Sequence, residues 1–147
     1  MQGRVLAASS VLILVLFSIA CEGCNGSAGP KAYGPVVGSR TVDSNGNNYS
    51  VTYSCQPDPI PLNEPFSLNL LIIPKRPLQE DILTVKVDAQ MPEHLHGMNR
   101  RPDIKMEPNS KVVASGMLFH MPGHWQVHID IARKGITERA QFDLTLK

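Results

Sequence analysis

The sequence predicts an all-β fold: an antiparallel β-sandwich of immunoglobulin-like type with about seven strands, preceded by a signal segment and a flexible tether. Three observations carry this expectation. Apolar and polar residues alternate with period two along most of the chain after residue 48, the signature of half-buried strands. Twelve prolines and eleven glycines in 147 residues break the chain into short pieces. No window after the N-terminal segment presents a helical apolar face.

The N-terminal segment comes first in the chain and sets its compartment. Arg4 is followed by an unbroken apolar run from Val11 to Phe17, too short to span a bilayer comfortably and of the length found in secretory signals. The sequence Phe17-Ser18-Ile19-Ala20-Cys21 resembles the bacterial lipobox, in which a small residue precedes a Cys that becomes acylated. Ala20 fits the pattern; Ser18 stands where Leu is usual. Residues 1–20 are therefore expected to be a lipoprotein signal peptide and Cys21 the lipidation site, anchoring the chain to a bilayer at the periplasmic face of the cell envelope. An uncleaved anchor helix is the alternative. Residues 21–44, rich in Gly, Ser and Ala at the start, are expected to form the tether, and residues 45–147 the folded domain. Cys24 and Cys55 would either pair as a disulfide, clipping tether to domain, or remain free thiols.

Each strand then follows from its pattern. Tyr49, Val51, Tyr53 and Cys55 form one inward set, after a turn at Asn45-Gly46-Asn47-Asn48. The proline-rich stretch Pro57–Pro65 cannot continue a ladder. Phe66, Leu68, Leu70 and Ile72 make the second set. Leu83, Val85, Val87, Ala89 and Met91 make the third, stopped by Pro92. A short strand near Ile104 and Met106 precedes the strand from Lys111 to Phe119. Trp125, Val127, Ile129 and Ile131 alternate with Gln126, His128 and Asp130; Ala140, Phe142, Leu144 and Leu146 close the fold. Met91, Met106, Met117 and Trp125 are expected in the core, and His128 on the solvent face.

The net charge is +1 and basic residues adjoin only as isolated pairs such as Arg100-Arg101, never as a run or stripe, so no electrostatic footprint for nucleic acid exists. The chemistry is concentrated elsewhere. All five histidines lie between His94 and His128, and five of six methionines between Met91 and Met121. If the strand near Ile104 forms, the loops holding His94, His96 and Met98 and those holding His120, Met121 and His124 meet at one end of the sandwich. Thioether is soft and selects Cu(I), whereas imidazole binds either copper oxidation state. A mixed set of this kind suits copper, and these six residues are the candidate ligands. His120 and His124 could instead cap the Pro122-Gly123 turn through hydrogen bonds, and Met98 and Met121 lie in loops beside His, where an apolar side chain needs a reason. A blue-copper centre is excluded, because it needs a Cys ligand and no Cys follows residue 55. Catalysis finds no support: there is no nucleophile elbow, no Cys near a His and no paired carboxylates beside the histidines. A metal-free surface for a membrane protein or copper-protein partner is the alternative use of such loops.

With Met91-Pro92, His94-Leu95-His96-Gly97-Met98, Pro102, Gly116 and Met121-Pro122-Gly123-His124-Trp125 in view, residues 49–146 resemble the YtkA-like domain family. These are small exported or membrane-tethered sandwiches. A more distant likeness is to the FixH and CopC groups, linked to copper handling or oxidase assembly. The order His-Gly-Met here departs from the family's more usual Gly-His. The resemblance implies the fold.

Overall fold

The computed structural model describes residues 37–77 and 84–147. The expected signal peptide, Cys21, Cys24, most of the tether and the Leu83 end of the third inward set lie outside the described residues. Among the described residues nine strands form, all paired antiparallel: β1 (Arg40–Asp43), β2 (Tyr49–Gln56), β3 (Phe66–Pro74), β4 (Thr84–Met91), β5 (His96–Gly97), β6 (Asp103–Glu107), β7 (Lys111–Met117), β8 (Gly123–Arg133) and β9 (Ile136–Leu146). They make two sheets, ordered β1-β2-β3-β7-β6 and β5-β4-β8-β9. The all-β sandwich is the fold the alternation foretold.

Seven strands were expected and two more are present. β5 is two residues long, too short to carry a pattern. β1 lies inside residues 21–44, the stretch expected to be tether. It pairs with β2 from Arg40 opposite Tyr53 to Asp43 opposite Ser50, so the folded domain begins before residue 45. Val37, just ahead of it, is already buried, and its amide and that of Gly38 donate to the Asp58 carboxylate at 2.8 and 2.7 Å.

The inward sets meet between the sheets. Val51, Leu68, Ile72, Ala89, Met91, Val112, Met117, Trp125, Ile129 and Ala140 are all essentially sealed from solvent. Tyr53 stacks on Phe142 across the layers, with ring centroids 3.7 Å apart, and Phe119 stacks on Trp125 at 4.5 Å. Aromatic pairs in offset contact add roughly 0.5–1.5 kcal/mol beyond the area they bury. Met106 departs from expectation: it is 47% exposed. β6 is the outer strand of its sheet, and the facing sheet ends in the two-residue β5, so little is left to cover that side chain. His128 departs in the other direction. Its phase is outward, as expected, yet only 8% of it is exposed, because Nε2 hydrogen-bonds Gln126 at 2.9 Å and Asp88 and Gln141 flank it on the adjacent strands.

Register fixes which loops share an end. β4 finishes at Met91 and β7 at Met117, while β8 starts at Gly123 and pairs antiparallel with β4, Gln90 opposite Gln126. The connections after β4 and β7 therefore emerge at one pole. The turns Ser44–Asn48, Pro108–Ser110 and Arg133–Ile136 lie at the other.

A histidine and methionine rim at one pole

After Met91 the chain makes a single 3-10 turn, Pro92–His94, and Leu95 then adopts the left-handed conformation with φ 55° and ψ 31°. This reverses the chain so that His96 pairs back on Met91 and Gly97 on Gln90. His94 and His96 are thus not two positions of one extended strand. They converge nonetheless, with ring centroids 5.8 Å apart. Gly97 is needed for this close return. A Cβ there would stand 2.9 Å from the carbonyl oxygen of Ala89, nearer than real contacts allow.

The second segment arrives from β7. His120 brings its ring to 5.2 Å from that of His96, although 24 residues separate them in sequence. Both rings stand edge-on to Trp125, at 5.5 Å for His120 and 6.3 Å for His96. Trp125 is itself fixed by its indole N–H, which donates to the Met121 carbonyl at 2.9 Å. Gly123 carries φ 121°, as the Pro122-Gly123 turn requires, and a Cβ on it would meet the Met91 methyl at 2.8 Å. Both glycines of the two motifs are therefore demanded by backbone geometry, whatever the site binds.

His96 is the imidazole in ring contact with both of the others, His94 and His120. Among the described residues no three His, Cys, Asp or Glu side chains stand close enough together to hold a metal ion by themselves. Met98 and Met121 are half-buried and pack against the core. His96 Nδ1 lies 3.3 Å from the Gly97 carbonyl, which favours the tautomer with that nitrogen protonated and Nε2 as the basic one. His120 is distinctive: its Nδ1 is buried and has no hydrogen-bond partner. A buried polar atom left unpaired costs about 1–3 kcal/mol.

His124 is placed differently from the other candidates. Its Nδ1 lies 2.8 Å from the Glu93 carboxylate and its Nε2 2.9 Å from the Asp143 carboxylate. These partners, Glu93 first and then Asp143, hold its pKa above the ordinary histidine value. Glu93 in turn is held below the usual carboxylate range by the same bond. Sequence reasoning grouped His124 with the ligands because it shares their segment. The partners that engage it sit 31 and 19 residues away, and no local pattern announces them.

Cys55 is buried, and burial, with Asp58 adding to it, pushes its thiol up to about 12. It remains a neutral thiol inside the sandwich. Cys24, its partner in the disulfide alternative, lies outside the described residues.

The fold and this pole define a class: a β-sandwich whose loops gather imidazoles and thioethers on one rim. No family model, curated protein or solved structure matches the chain.

Proposed function

We propose that this chain is a membrane-anchored, extracytoplasmic binding protein that captures or delivers copper at the rim formed by His94, His96, Met98, His120 and Met121. Acylation at Cys21, a place in the cell envelope and kinship with the YtkA-like family belong to the same proposal. The observation that carries it is the unpartnered, buried Nδ1 of His120 beside His96. A buried ring nitrogen with no partner in the protein is what a metal ligand looks like before the metal arrives. Two imidazoles at this separation, with thioethers on the same rim, supply soft and borderline donors without a carboxylate. That donor set favours Cu(I) over zinc, which prefers His with Cys or carboxylate.

The single tryptophan makes the test direct. Trp125 touches both central histidines, so copper bound between them quenches its emission. Titrating the purified chain with Cu(I) under a competing chelator is expected to give stoichiometric uptake with loss of fluorescence. His96→Ala with His120→Ala is expected to abolish both. A chain that takes up no copper at micromolar concentration sinks the metal reading.

One observation favours the second reading, a metal-free surface for a membrane partner. Leu95 is 93% exposed at the tip between His94 and His96. A lone apolar tip of this kind can seat in a partner's pocket, and the same titration decides between the two.

A further inference from the structure

The turn that carries His94 has little to hold it. Pro92–His94 has no side-chain cap, buries no residue, and ends in a left-handed leucine. Among the described residues, the side-chain hydrogen bond that fastens it to the body of the domain comes from one imidazole. His124, at the start of β8, reaches Glu93 on this turn with Nδ1 and Asp143 on β9 with Nε2. Asp143 also accepts from Gln126 Nε2 at 3.2 Å, so the far end of the bridge is itself pinned to the sheet. Both ring nitrogens point at carboxylates and act as donors, which leaves no lone pair for a metal.

We infer that His124 is a positioning residue of the rim, not one of its ligands: it spans Glu93 and Asp143 and so fixes the turn from which His94 is presented. The inference rests on the copper reading for its consequence and on the bridge for its geometry. Partners behind a ligand that hold it in place commonly change metal affinity ten- to a hundredfold when removed.

The test uses the full chain and Cu(I). His124→Ala is expected to raise the dissociation constant about tenfold and to leave the melting temperature nearly unchanged, since the bridge is half-exposed. His94→Ala with His124→Ala is expected to bind no more weakly than His94→Ala alone, because both act through one turn. His124→Arg has N–H groups for both carboxylates and no donor lone pair for copper; it is expected to restore affinity to within about threefold of the original, as the bidentate geometry of guanidinium allows. Losses that multiply in the double variant, or an arginine variant as weak as the alanine one, would make His124 a ligand and overturn the inference. A chain that takes up no copper ends the metal reading separately. The bridge is then judged by amide exchange of residues 93–97, expected to rise in His124→Ala and to stay low in His124→Arg; unchanged exchange in both overturns it.

Discussion

At the pole away from the histidines, Glu138 turns its carboxylate into the end of the sandwich and finds every donor it needs. At the rim, His120 carries a buried ring nitrogen that finds none. Ser44 Oγ and Asn48 Nδ2 each donate to Glu138 at 2.6 Å, and the Asn48 amide adds a longer bond at 3.4 Å. Ser44 Oγ also accepts from the Tyr49 amide at 3.0 Å, so the carboxylate ties β9 to the β1–β2 turn. Gly46 leaves room for it: a Cβ there would fall within 3 Å of three carboxylate atoms. Buried polar groups satisfied in this way specify structure. Groups left unsatisfied in an otherwise paired molecule are the places to look for a ligand.

The sharpest way to break this comparison is to remove one polar group from each pole. Glu138→Ala strands Ser44, Asn48 and the turn amides together. Each buried donor left unpaired costs about 1–3 kcal/mol, so a loss of roughly 2–4 kcal/mol is expected in urea unfolding. His120→Leu removes a nitrogen that bonds nothing in the protein. It is expected to leave stability unchanged or to raise it by up to about 1–3 kcal/mol, because an apolar replacement for an unpaired polar group forfeits no hydrogen bond and removes the cost of burying one. Equal losses at the two poles would mean that His120 is structural after all.

A smaller effect sharpens the comparison through pH. Two histidines on the outer face of one sheet titrate with opposite sign. The pKa of His124 is raised by Glu93 and Asp143, so the folded state holds its proton more tightly than the unfolded chain. That stability is complete below the ordinary histidine value of 6.5 and fades as pH rises through the raised folded value. His128 is lowered, by burial first and then by Arg139, so its contribution is complete above 6.5 and is lost as pH falls toward the lowered value. Imidazole resonances followed by NMR are expected to titrate in that order, His128 before His124 as pH rises. His124→Gln removes the loss on the alkaline side and His128→Gln the loss on the acid side. Coincident titrations would mean that the Glu93–His124–Asp143 bridge does not hold in solution.

These features were unequally legible in the sequence. Period two gave the face of nearly every core residue, because alternation records which side of a strand is wet. It also puts Glu138 on the inward phase of Ala140, Phe142 and Leu144, although a carboxylate at that position reads as the end of the strand. Alternation says nothing of depth, so His128 was expected in solvent. It cannot see a two-residue strand such as β5, whose existence depends on the reversal at Leu95. The convergence of His96 and His120 followed from counting strand directions. The separation of His124 from them did not, for it depends on Glu93 and Asp143, whose positions only the folded sheet relates.

The smallest expected effect concerns that reversal. A non-glycine residue in the left-handed region carries strain, roughly 1–2 kcal/mol relative to glycine, because Cβ crowds the backbone. Asparagine tolerates this region better than most residues, and Asn47, Asn63 and Asn109 occupy it in this chain. Leucine has no such relief, and at 93% exposure Leu95 gains almost nothing from burial. Leu95→Gly is therefore expected to stabilise the domain by about 0.5–1 kcal/mol, less than the full strain because glycine also frees the unfolded chain. A thermal shift measures it. A rise in melting temperature with weakened copper uptake or partner binding would mean that the strained, exposed side chain is kept for contact beyond the domain. A fall would mean that Leu95 packs against its neighbours in solution and that the reversal is held by its side chain.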